Sequence, residues 1–154
     1  DYHVARGYSV AGGADMSRKI EDLHPTLQAK CRAHIAACEE AGISLIITST
    51  YRSPEEQAVL YAQGRTTPGR VVTKARPGKS MHNYRLAYDV VPLRNGKPVW
   101  GTTGEDATLW QKVGALGVAQ GLEWAGNWRT MREFPHFQWT GGLTLAELQA
   151  GKTP

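Results

Sequence analysis

The chain is short of cysteine and of long apolar runs, and both shortages narrow what it can be. Its only cysteines are Cys31 and Cys38. They stand seven apart on an expected helix, roughly 10 Å apart along its axis, which is too far for a disulfide. No Cys-x-x-Cys pair occurs, so a cysteine zinc knuckle is excluded. No apolar stretch approaches the roughly 18 residues that a membrane-spanning helix needs. The N-terminus lacks a basic start followed by an apolar core, so synthesis in a cytoplasm without a signal peptide is expected. Internal repeats, low-complexity tracts and interdomain linkers are also missing.

What is present fits one domain with one core: 154 residues, 41% hydrophobic and 21% charged. The net charge of +4 and a pI near 9.2 suit an anionic partner, whether nucleic acid, cell wall or membrane surface. The opening DYHVARGYSVAGGAD has no periodicity. Residues 1–15 are therefore read as an expression remnant or flexible arm, and 16–154 as the single domain.

From His24 to Gly42 the apolar residues Leu27, Cys31, Ile35 and Cys38 recur at helical spacing, with Pro25 in the first turn and Gly42 at the C-terminal end. His34, beside this stripe, is expected on the helix surface. ISLIITST (43–50) reads as a buried strand. Ser53, Pro54 and Glu56 form a capping box that opens the next helix, which Gly64 ends. Arg52 thus sits where a strand meets a capped helix, a junction that holds a side chain in place. The segment 64–79 contains Arg65, Arg70, Lys74, Arg76 and Lys79 and no acid. It is either a solvated loop or a basic flap beside an anionic substrate. LAYDVVPL and KPVWG are strand-like, joined by an Asn95-Gly96 turn. A second long helix is expected over GEDATLWQKVGALGVAQG, with Leu109, Val113 and Leu116 on one side. LEWAGNW reads as a turn, EFPHFQW as a short strand and TLAELQAG as a terminal helix. This mixture without βαβ alternation predicts an α+β fold: a small, mostly antiparallel sheet with helices packed on it.

The chemistry centres on SMHNYRLAYD (80–89). Asp89 lies inside an apolar strand, where an unpaired carboxylate costs several kcal/mol. It must face solvent at an edge, pair with a cation, or bind a metal. His82 is seven positions upstream, an odd separation that puts the two on opposite faces of one straight strand. Both can meet only if His82 sits in the lead-in turn or the strand bulges. His136, in EFPHFQW, shares a face with Phe134 and Gln138, with Phe137 and Trp139 on the other. Two histidines and a carboxylate are a catalytic zinc set with one position open, and Glu133, three residues before His136, is placed to be a general base. From spacing alone, unrelated surface histidines and an edge aspartate fit as well.

These segments resemble the zinc D-alanyl-D-alanine carboxypeptidase and L-alanyl-D-glutamate endopeptidase family, in particular its phage endolysin branch. The family also includes vancomycin-resistance D-Ala-D-Ala dipeptidases and is related to the hedgehog signalling domain. SMHNYRLAYD is similar to its S-x-H-x-x-G-x-A-x-D motif, STYRSPEEQAVLYAQGR to its strand–Arg–helix segment, and GLEWAGNW with EFPHFQ to its C-terminal motif. The likeness runs from about Met16 to the end. It implies that His82, Asp89 and His136 bind one Zn²⁺, with the zinc site at the sheet. It implies Glu133 as general base and Arg52 polarising the scissile carbonyl. It places Ser80 and Gln57 near the substrate, with Tyr51 and Trp128 as possible cleft walls. The implied reaction is hydrolysis of the peptidoglycan stem, first of all the L-alanyl–D-glutamate bond. The alternatives are a D,D-carboxypeptidase or dipeptidase, or a non-catalytic zinc-stabilised wall-binding module. The implied setting is a monomer made in a host bacterial cytoplasm, reaching the wall by holin-type release. A nucleic-acid partner is not expected, because the basic loop lacks interleaved aromatics. Arg85 stands where the family has glycine. A different local turn is expected there, with the guanidinium aimed away from the metal and toward substrate carboxylates.

Overall fold

The computed structural model describes residues 16–154, so the expectation for residues 1–15 lies outside it. Helix α1 (Pro25–Glu40) begins with proline at its first position, and His24 caps it by accepting from the Thr26 amide. Gly42 follows at φ 80°, the left-handed residue that ends many helices. Strand β1 (Leu45–Ser49) leads to α2 (Pro54–Ala62), which has the expected reciprocal box: Ser53 accepts from the Glu56 amide and Glu56 from that of Ser53. A 3-10 turn, Met81–Tyr84, opens into β2 (Ala87–Arg94), and Asn95 and Gly96, both at positive φ, turn it back into β3 (Lys97–Pro98). Helix α3 (Gly104–Val118), β4 (Glu123–Trp124), β5 (His136–Gln138) and α4 (Leu145–Gln149) complete the chain.

The sheet runs β1-β2-β5-β4, with β3 paired to β2, and every pairing is antiparallel. Strand β2 is central, and Ala87–Pro92 are all buried. Its alternation explains why. Tyr88 and Val90 point to the main core with Leu27, Cys31, Trp110, Val113, Trp124 and Phe137. Asp89 points to the other face. Tyr88 and Trp124 both stack on Phe137, at 5.8 and 6.3 Å between ring centroids.

Three local expectations are corrected. His34 is not on the helix surface: it is fully buried, with Nδ1 2.7 Å from the Tyr88 hydroxyl and Nε2 2.8 Å from the Val113 carbonyl. A polar ring among apolar neighbours is admissible once both nitrogens have partners. The buried face of α3 is Trp110, Val113, Gly114 and Gly117, with Leu109 and Leu116 only partly covered. Glycine lets this face approach the sheet: a Cβ on Gly117 would lie 2.5 Å from the Phe137 ring, and one on Gly114 2.3 Å from Trp124. LEWAGNW contributes a strand, β4, as well as a turn.

Candidate metal centre and cleft

Asp89 and His136 are brought together by strand register. They are direct partners on β2 and β5, and side chains directly opposite on antiparallel strands share a face. His82 arrives from the 3-10 turn before β2, which resolves the odd spacing without a bulge in β2. Ser80 shapes that turn by accepting from the His82 amide, while Asn83 reaches back to the Ser80 amide.

The three side chains are buried, and their ligand atoms all lie within 4.8 Å of one another. His82 Nε2 is 3.3 Å from Asp89 Oδ2, and His136 Nδ1 is 3.2 Å from Asp89 Oδ1. Two ligands at 2.0–2.2 Å from one tetrahedral ion lie roughly 3.3–3.6 Å apart, so these spacings suit a shared metal. The hydrogen bonds agree. His82 Nδ1 is 2.7 Å from the Thr50 carbonyl, which can only accept, so the proton is on Nδ1 and the Nε2 lone pair faces Asp89. His136 Nε2 donates to Gln138 Oε1 at 2.8 Å, leaving Nδ1 toward Asp89. Buried lone pairs thus converge, and His82 Nε2 and Asp89 Oδ2 have no hydrogen-bond partner. A buried polar atom left in this state is costly, and a divalent cation removes the cost. A nitrogen, nitrogen, oxygen set fits zinc.

Charge follows the same geometry. Burial pushes the His82 pKa down despite Asp89, so the ring is neutral and the 3.3 Å contact is not an ion pair. Burial alone would raise Asp89, yet its carboxyl is held well below its usual range, a direction in which the hydrogen bond from His136 acts. Burial opposes a charge on His136, yet its bond to Asp89 wins and raises its pKa. In the metal-free molecule a proton can therefore take the metal's place on His136.

A cleft of about 580 Å³ opens over the centre, lined in part by His136, Gln138, Glu133, Ser80 and Trp128. Glu133 is half-buried, its amide donating to the Ala125 carbonyl. Ser80 and Trp128 reach the cleft as expected. Of the three expected metal ligands only His136 lines it, and Arg52, Gln57 and Tyr51 do not. Arg52 is fully buried, its guanidinium bonded to Gln57 Oε1 (3.0 Å) and Ser49 Oγ (3.4 Å). Burial lowers its pKa, while Asp89, Glu56 and Glu133 support its charge. Gln57 is also fully buried and spans from Arg52 to the Ala75 carbonyl (2.7 Å). Tyr51 lies beneath Arg85, whose guanidinium carbon is 3.9 Å from its ring centroid.

Arg85 corrects a further expectation. The turn does not change to avoid a left-handed residue: Arg85 itself adopts φ 64°, ψ 25°. Its guanidinium donates to the Asp22 carbonyl (2.7 Å) and covers Tyr51, so it does point away from the centre but toward the protein's own N-terminal segment.

Sequence reasoning passed over one set of side chains. Gln138 Nε2 donates to Glu123 Oε2 (3.3 Å), and Trp128 Nε1 donates to the same oxygen (3.1 Å). A relay therefore runs from His136 through Gln138 and Glu123 to the cleft wall. Its signal was the shared strand face of His136 and Gln138; the role of Glu123 was not visible without β4–β5 pairing.

A model of the D-alanyl-D-alanine carboxypeptidase family matches residues 73–139. The peptidoglycan L-alanyl-D-glutamate endopeptidase CwlK of Bacillus subtilis is 37% identical over 122 residues, 76% of this chain and 73% of that protein. The chain belongs to this family. Solved structures agree in fold. The L-Ala D-Glu endopeptidase ChiX of Serratia marcescens superposes with a TM-score of 0.57 at 21% identity, covering 84% of this chain and 86% of its own. The LD-carboxypeptidase LdcB gives 0.55 at 28%, covering 85% and 72%. DacB of Streptococcus pneumoniae gives 0.56 at 25%, covering 85% and 73%. The family match spans both motifs that contain the candidate ligands, Ser80–Asp89 and Glu133–His136.

Proposed function

We propose that this peptidoglycan metallopeptidase is a zinc-dependent endopeptidase that cuts the L-alanyl–D-glutamate bond of the peptide stem. The observation that carries the reading is the convergence of buried lone pairs from His82, Asp89 and His136, of which His136 lines a cleft that also holds Glu133. The choice of bond is supported by the 37% identity to an endopeptidase named for it. A bound zinc supplies a Lewis acid that lets water ionise near neutral pH.

The chain's own residues do the rest. Glu133 faces the cleft and takes the proton of the attacking water, then returns it to the leaving amine. Arg52 is a buried cation behind the cleft, and Asp89, Glu56 and Glu133 support its charge. Trp128 walls the cleft 5.7 Å from the His136 ring. The endolysin reading, with access to the wall from within, belongs to the same proposal; lysis of cells only after their membrane is permeabilised tests it.

Glu133→Gln is the direct test of the base. It should keep zinc yet lose about 10²–10⁴-fold in rate on purified peptidoglycan. A variant that digests walls as fast as the parent removes Glu133 from the mechanism. New N-terminal D-glutamate in the digest, identified by mass spectrometry, supports the endopeptidase; released D-alanine supports a D,D-carboxypeptidase instead.

A further inference from the structure

The segment between α2 and the 3-10 turn has no helix or regular strand, yet it is braced from beneath. Gln57 donates to the Ala75 carbonyl, Gln63 to that of Arg70 (2.9 Å), and Arg65 to that of Thr73 (3.0 Å). The Tyr84 hydroxyl holds the Gly78 carbonyl at 2.6 Å, and Val72 is buried against Leu60. The segment is a fixed wall of the cleft, and Lys74 and Lys79 line the cleft from it. Across the opening, Met131 adopts φ 54°, and the two residues that follow, Arg132 and Glu133, both line the cleft.

Among the described residues, three cations therefore share the cleft with a single carboxylate, that of Glu133. Lys74, Lys79 and Arg132 make no ion pair with any described carboxylate. Lys79 meets only the Gln149 amide oxygen at 3.4 Å, and Arg132 lies 6.0 Å from the Phe134 ring centroid. Unbalanced positive charge in a cleft draws and holds an anion.

The substrate supplies that anion at a defined place. D-glutamate is joined onward through its γ-carboxyl, so its α-carboxylate stays free, on the carbon that bears the scissile nitrogen. A terminal D-alanine has its carboxylate at the same place. We infer that Lys74, Lys79 and Arg132 read the α-carboxylate of the leaving residue, so that the enzyme prefers stems with free D-glutamate over stems amidated to D-isoglutamine. This rests on the proposed peptidase function but not on which of the two bonds is cut.

The test uses the zinc-loaded protein and two N-acetylmuramoyl-L-Ala-γ-D-glutamyl-L-Lys stems, one with the α-carboxylate and one with the α-carboxamide. The carboxylate stem should give a kcat/KM roughly tenfold higher or more, mostly through KM, as expected for one charge-assisted hydrogen bond. Lys74→Met, Lys79→Met and Arg132→Met should each narrow the ratio. The triple variant should bring it near one, chiefly by lowering the rate on the carboxylate stem. Equal rates for the two stems in the parent, or a ratio that survives in the triple variant, overturn the inference and leave the endopeptidase reading standing. If neither stem is cut, that reading falls instead. The wall is then tested on a pentapeptide ending in D-alanine against one ending in D-alaninamide, where the same ratio supports it and equal rates overturn it.

Discussion

At the scale of single residues, the centre depends on which nitrogen of each histidine is free. Thr50 fixes His82, and Gln138 fixes His136. Outer hydrogen bonds of this kind commonly contribute 10–100-fold to metal affinity. Gln138→Leu, which keeps the volume and removes the acceptor, should therefore weaken zinc binding by about that factor in a chelator competition, whereas His136→Ala should abolish stoichiometric zinc. Unchanged affinity in Gln138→Leu would remove the relay from the site. Arg85 makes the second case. A left-handed residue other than glycine costs about 1–2 kcal/mol, and an exposed cation–π contact returns roughly 0.5–1 kcal/mol. Arg85→Gly should thus be more stable than Arg85→Ala by about 1 kcal/mol in urea unfolding, with zinc retained in both. Zinc lost from the glycine variant would give Arg85 a part in building the centre.

At the scale of elements, helix boundaries were legible because they rest on local chemistry. The Ser53–Glu56 box, Pro25 and the Asn95-Gly96 turn each act within a few residues, and the structure has all three. The faces of helices were less legible. His34 was expected on the helix surface, and nothing local marks Gly114 and Gly117 as a packing face, because the partners that decide both cases lie far along the chain. Gly117→Ala tests this. Alanine favours a helix by about 1 kcal/mol over glycine, but its methyl would sit 2.5 Å from Phe137. Overpacking of this kind typically costs about 1–3 kcal/mol, so chemical denaturation should show net loss of stability or none gained. A clearly more stable variant would argue against so close a helix–strand contact.

At the scale of the whole molecule, protons and metal compete for one place. The folded pKa of His136 is raised, so its protonated form stabilises the metal-free fold below about pH 6.5, and that contribution is lost as pH rises through the folded value. His82 is held neutral and offers its lone pair without releasing a proton. Zinc affinity should therefore climb by up to about tenfold per pH unit below the raised pKa of His136 and level off above it. The thermal stabilisation by zinc should be correspondingly larger near pH 8 than near pH 6. An affinity that is flat across this range would show that His136 does not exchange a proton for the ion.

The sequence by itself determined the antiparallel α+β fold and the family, and it singled out the three side chains that meet at the candidate metal centre. Residue type and spacing are local, and three motifs in the right order leave few other readings. It also carried the basic character of 64–79, although not whether that segment was a solvated loop or lay beside an anionic substrate. Tertiary structure decided the rest. Register between β2 and β5 put Asp89 opposite His136, and pairing of β4 with β5 brought Glu123 to Gln138. Burial placed Arg52 and Gln57 behind the cleft, and the Arg85–Tyr51 contact took Tyr51 out of it. Each of these turns on contacts between residues distant in the chain or on their depth from solvent, and neither is encoded in the neighbourhood of any one residue.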